Sequence, residues 1–257
     1  PLEGRLVKRV RTLAHVDDRM RRDAYTRIFE HGVGAGSVFE QRLAAMLFYS
    51  LFPDGGEFVD VASGLNALRG EPTVGEMQQV VDITFGAAHR TARPLSEVEQ
   101  GLVDVPLSLH ASYSREEILA ALGWVGQGRS PSTMREGVAW CPEVNSDAFL
   151  ITLKKTDTDY SPTTMYRDYA LNRQLFHWES QSTTSVASPT GQRYIHHREQ
   201  DSHILLFVRE TKTGALGPSP YIFLGPADYV SHEGDRPMAI TWRLRQPMPT
   251  EEYLASR

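Results

Sequence analysis

The chain has 257 residues, 40% of them hydrophobic, and a formal net charge of −5, enough apolar material for one large domain or two modest ones. Lys and Arg number 12 against 15 Asp and Glu over residues 1–111, and 15 against 17 over residues 112–257. Neither half is basic, which argues against a protein that grips nucleic acid through its bulk field, while leaving room for a local pocket with a few placed arginines.

A single cysteine, Cys141, excludes an internal disulfide and a Cys-rich zinc site. With no run of about 18 apolar residues and no basic-then-apolar leader, a cytoplasmic protein with no membrane partner is expected. The start at Pro1 suggests a piece of something longer.

Residues 1–111 read as helical. Leu6, Val10 and Leu13 fall at helical spacing, and Asp17 is expected to cap a helix whose apolar face is Tyr25, Ile28 and Phe29. Phe39, Leu43, Met46, Leu47 and Phe52 line the next helix, which Pro53-Asp54-Gly55-Gly56 should end. Residues 74–89 give one more. The arginines Arg9, Arg11, Arg19, Arg21, Arg22 and Arg27 either touch nucleic acid or form a solvated face interleaved with Asp17, Asp18 and Asp23. Ser114 with Glu117 makes a capping-box pattern ahead of Ile118, Leu119 and Leu122. The boundary is placed near Ala111: residues 1–111 as a helical coupler or docking module, residues 112–257 as a second domain.

From Val138 the texture changes to short strands: residues 149–153, 175–181, 203–209, 221–224, 228–231 and 238–244, with Gly225-Pro226 and Gly234-Asp235 as turns. Residues 203–209 are apolar throughout and should lie centrally, covered on both faces. The fold class expected is α+β, with a small curled β-barrel carrying long loops behind the helices. The two longest loops flank the strand at 175–181, where function concentrates.

No Walker loop or His-Glu-x-x-His helix is present, and no complete catalytic constellation, metal site or cofactor is read. Cys141 reads as a small buried hydrophobe. His196, His197 and His203 read as solvated or hydrogen-bonded histidines rather than metal ligands. The distinctive stretch is residues 160–194, where Tyr160, Tyr166, Tyr169, Phe176, Trp178 and Tyr194 stand among hydroxyls and amides without helical or strand period. It suits a flat ligand with polar edges, such as a nucleobase, or equally a Tyr-rich core beneath a polar loop.

Five stretches in this half, SPTTMYRDYAL, LFHWESQSTT, SPTGQRYIHH, ILLFVRE and YVSHEGDRPMAITWRL, resemble the C-terminal region of large restriction proteins. In these, a phospholipase-D-like nuclease is joined to a superfamily 2 helicase motor, as in SauUSI-type, type IV modification-dependent restriction enzymes. LAHVDDRMRRDAY and RLAAMLFYSLF more weakly resemble the helical part that follows the motor.

The resemblance implies an SRA-like or PUA-like domain that binds DNA carrying 5-methylcytosine, with 5-hydroxymethylcytosine as a further target. It also implies base flipping, partnership with the helicase and nuclease domains of the parent polypeptide, and no catalysis by this piece. Tyr166, Tyr169 and Trp178 would then supply planes and walls, and Asp168 would accept from cytosine N4–H. Ser182, Thr183, Thr184, Thr190, Gln192 and Arg193 suit phosphate and sugar contacts. The competing reading is a protein-interaction module that couples motor to nuclease without DNA specificity of its own.

Overall fold

A computed structural model describes residues 2–88, 92–126, 128–154 and 168–257. The chain divides into two compact units, Pro1–Glu136 with Ala215–Tyr221, and Gly137–Gly214 with Ile222–Arg257. The architecture is α+β.

The first unit is helical. Helix α1 (Leu2–Leu6) runs into a 3-10 helix, Val7–Leu13, followed by α2 (Arg19–His31), α3 (Val38–Leu51), α4 (Val61–Asn66), α5 (Thr73–Ala87) and α6 (Arg115–Ala121). Helix α3 is the hub: residues 43–48 are all buried, from Leu43 to Phe48, as befits a helix covered on nearly every side. Gly55 and Gly56, both at positive φ, turn the chain after α3. Asp18, rather than Asp17, caps α2 by accepting from the Arg21 N–H at 3.0 Å. Asp17 instead accepts from the backbone N–H and hydroxyl of Ser112.

The capping box on α6 forms as expected, and its Glu117 has a second use. Arg21, fully buried, donates to both Glu117 oxygens at 3.0 Å and to Asp18 at 2.5 Å, while its guanidinium lies 4.0 Å from the Tyr113 ring centroid. Tyr25 Oη and His15 Nε2 also reach Glu117. A proton on Nε2 is required for a 2.5 Å approach to a carboxylate. These bonds tie residues 15–25 to α6, so α6 belongs to the helical unit. By compactness this unit runs on past Ala111 to Glu136, because long-range burial of one charged cluster outweighs the break in local texture.

The second unit is built on a mixed sheet. Its strands are β1 (Val138–Cys141), β2 (Ser146–Thr152), β3 (Tyr169–Ala170), β4 (Leu175–Glu179), β5 (His203–Arg209), β6 (Tyr221–Glu233) and β7 (Ala239–Leu244), in the order β1-β2-β5-β6-β7-β4-β3. Strands β2 and β5 are parallel; the other neighbours are antiparallel. Among the described residues no pairing joins β3 to β1, so the sheet is open. Strand β5 is central and buried from Ile204 to Val208, as its unbroken apolar sequence predicts. One face carries a core of Phe149, Phe176, Trp178, Tyr194, Ile240 and Trp242. Cys141 is fully buried.

Two sequence expectations need correction. Gly225-Pro226 is not a turn: β6 runs through it as one thirteen-residue strand, with bulges between Phe223 and Gly225 and between Tyr229 and Ser231. Gly225 sits at φ +100°, which bends the strand without ending it. The loop after β4 also contains a helix, α7 (Pro189–Ile195), whose N-cap Ser188 accepts from the Gly191 N–H at 3.1 Å. A cap serine followed by proline at the first helical position is a start signal. A further short helix, α8 (Thr250–Ala255), closes the chain.

Candidate functional site

The predicted pocket residues separate onto two faces of the sheet. Tyr169 on β3 pairs with His177 on β4, and their rings stack at 4.8 Å with an interplanar angle of 29°. Strand side chains alternate, so Trp178 points to the other face. There it is 6% exposed, with Phe149 at 4.5 Å and Tyr194 at 5.8 Å. Trp178 is a core residue and offers no free plane to a ligand; burying so large a ring contributes about 1.5–3 kcal/mol to the fold.

Tyr169 remains 37% exposed, with His177 beneath one face. Glu179 follows on the same face of β4, its carboxylate 4.0 Å from His177 Nε2. Across the ladder, Thr241 faces His177 and Ala239 faces Glu179. Asp168 is buried, and its Oδ1 accepts from the Glu179 backbone N–H at 3.1 Å. It anchors the start of β3 rather than presenting a free carboxylate. Tyr166 lies outside the described residues. Alternation along the strand at residues 175–181 sets His177 and Trp178 on opposite faces from sequence alone; the sequence reading chose the Trp178 face, whereas the pairing with Tyr169 favours the His177 face.

The expected backbone contacts fare unevenly. Ser182 and Thr183 are exposed in a turn, and Thr184 is buried with its N–H donating to the Gln181 carbonyl at 2.9 Å. Thr190, Gln192 and Arg193 ride on α7 rather than a loop, and Gln192 Nε2 donates to the Val186 carbonyl at 2.8 Å. Arg193 is committed elsewhere. Its Nε and Nη2 grip the fully buried Asp147 carboxylate at 2.7 and 2.8 Å. Desolvation pushes the Asp147 carboxyl above its usual range against the pull of Arg193, and the Arg193 guanidinium is held more firmly protonated by the two hydrogen bonds. An arginine so paired is a structural clamp, not a free groove probe.

His197, just after α7, is also structural. His197 Nε2 accepts from the Tyr229 N–H at 3.1 Å and Nδ1 lies 3.2 Å from the Ser202 carbonyl, which fixes a neutral ring protonated at Nδ1. Burial lowers its pKa accordingly. Asp228 nearby takes both Arg198 and Arg245; burial would raise its carboxyl, yet the two guanidiniums hold it below the usual range. Among the described residues no group of three His, Cys, Asp or Glu is arranged to hold a metal ion, and no helix is long and apolar enough to cross a membrane.

The arrangement at Tyr169, His177 and Glu179 can stack a flat group and accept a hydrogen bond at its edge. Comparison with known proteins places this corner inside a defined family region. The model of a domain of unknown function, DUF3427, matches residues 107–255. That is more than half of the chain, so the chain belongs to the DUF3427 family. A search of curated proteins finds no match.

Proposed function

For this member of the DUF3427 family, we propose that the chain binds DNA carrying a modified cytosine, 5-methylcytosine with 5-hydroxymethylcytosine as a further target. In this reading it acts as the recognition part of a larger restriction enzyme and catalyses no step itself. The observation that carries the proposal is the exposed Tyr169 ring, backed by His177. It is supported by the five stretches that resemble type IV restriction proteins, which all fall inside the family region. The long bent β6 in an open mixed sheet is compatible with an SRA-like curl.

The energetics explain why a platform is needed. Burying one cytosine methyl is worth about 0.8 kcal/mol, only a few-fold preference. Flipping the base costs a few kcal/mol, and stacking on an aromatic plane returns about 1–3 kcal/mol. Tyr169 would provide the plane, and Glu179 rather than the engaged Asp168 would accept from cytosine N4–H. The parent polypeptide's motor and nuclease would be its partners.

The test is a titration of the 257-residue chain with matched short duplexes carrying cytosine, 5-methylcytosine or 5-hydroxymethylcytosine at one fixed salt concentration. A preference of about tenfold for a modified duplex, lost in Tyr169→Ala with the melting temperature retained, is the expected result. Equal binding to all three duplexes would overturn the proposal in favour of a protein-interaction module.

A further inference from the structure

Of the six arginines of the run in the first unit, three are paired. Arg21 is locked to Asp18 and Glu117, Arg22 to Asp23 and Asp82, and Arg27 lies 4.0 Å from Glu40. Arg9 and Arg11 have no ion-pair partner among the described residues, and both line a cleft of about 190 Å³ that lies wholly within this unit. With three residues per turn in the 3-10 helix, positions three apart eclipse one another, so Arg9 and Thr12 share one row, while Arg11 lines the cleft from a neighbouring row.

We propose that this cleft binds a phosphate group carried on a ring-sized organic body, the chemistry of a nucleotide unit. Two guanidiniums supply forked donors matched to phosphate oxygens. The Ser114 hydroxyl accepts from the Glu117 N–H at 3.1 Å, which leaves its own hydrogen to donate. Thr12 donates its hydroxyl to the Arg9 carbonyl and Ser50 to the Met46 carbonyl, so these two are not the donors. The charged and titratable groups facing the cleft are Arg9, Arg11, His15 and Glu116. Glu116 is paired with Arg115 at 3.4 Å, and His15 turns Nε2 to Glu117, so the uncommitted charge is positive.

The cleft is also lined by the apolar Pro53, Leu216, Pro218 and Pro220. The cleft volume exceeds the roughly 150 Å³ that accommodates a benzene ring in an apolar cavity, so a ring fits. This site lies in a different unit from Tyr169 and stands whether or not that corner reads modified cytosine.

The test titrates the 257-residue chain with cytidine 5′-monophosphate, cytidine, phenyl phosphate and inorganic phosphate. Both ring phosphates should bind at least about tenfold more tightly than cytidine or inorganic phosphate. Arg9→Gln with Arg11→Gln should remove that advantage, and Arg27→Gln should keep it. A short single-stranded oligonucleotide with or without a 5′-phosphate separates the sources. Tighter binding of the phosphorylated strand than of the free nucleotide assigns the site to a nucleic-acid end, and the reverse to a free nucleotide. Cytidine monophosphate binding no better than cytidine to the unmodified chain overturns the proposal even if the double variant fails to fold. Equal affinity in a folded double variant overturns it as well.

Discussion

The Arg193 guanidinium clasps the Asp147 carboxylate through two parallel bonds while lying 4.1 Å from the Trp140 ring centroid. Helix α7 is thereby fastened to strand β2 across residues 46 apart in sequence. Removing one partner of such a pair leaves the other charge buried and uncompensated, at a cost of about 3–5 kcal/mol. Arg193→Leu should therefore lower stability by about that much, whereas Arg193→Leu combined with Asp147→Leu should recover a large part of it. Denaturant unfolding of the two variants checks both values. A cost under about 1 kcal/mol for the single variant, as at exposed pairs, would return Arg193 to the set of free surface arginines.

Glu117 anchors the helical unit in the same manner. Burial alone would raise its carboxyl, but Arg21 and then His15 hold it far below the usual range. The folded pKa is depressed, so its stabilising contribution is fully present above the unfolded carboxyl pKa of about 4.3 and fades as pH falls below it. Glu117→Gln should cost about 3 kcal/mol, the low end for breaking a buried pair, because Asp17 and Asp18 still face Arg21. Unfolding measured at neutral pH and in mild acid should show the variant with a shallower acid loss than the parent chain.

His197 gives a second pH dependence, in a different window. Its folded pKa is lowered by burial, so the unfolded chain binds the proton first. Stability is full above the ordinary histidine pKa of about 6.5 and declines as pH drops through that value. Between about pH 7.5 and 5.5, either side of that value, His197→Gln should show a smaller fall in Tm than the parent. Equal slopes would mean that His197 binds its proton as readily in the folded chain as in the unfolded one.

Trp242 is fully buried, and its Nε1 has no hydrogen-bond partner among the described residues. An unmade bond of this kind costs about 1–3 kcal/mol, which Trp242→Phe would relieve while losing ring area. The substitution should change stability by less than about 2 kcal/mol, against about 3–5 kcal/mol for Phe149→Ala at the centre of the same cluster. A loss from Trp242→Phe equal to that of Phe149→Ala would show that the indole N–H is satisfied.

Local pattern determined much of this protein. The helical first half, the cap at Ser114, the central strand at residues 203–209 and the burial of Cys141 follow from periodicity, capping chemistry and apolar runs, each set within a few residues. The corner at Tyr169 was legible only in part. Aromatic content marked the region, but composition does not say which rings point inward. The pairing of Tyr169 with His177 and the alternation of β4 decided that, and sent Trp178 to the core.

Charges were the least legible feature, because an arginine looks the same in sequence whether it faces solvent, a ligand or a buried carboxylate. Arg193 became a clamp through Asp147, Arg21 a buried node through Glu117, and Arg9 and Arg11 the walls of a cleft. Each partner or wall lies far away in the chain, and burial fixes the strength of each pair. Only the tertiary structure could assign these roles, because desolvation and long-range contact exist only once the chain has folded.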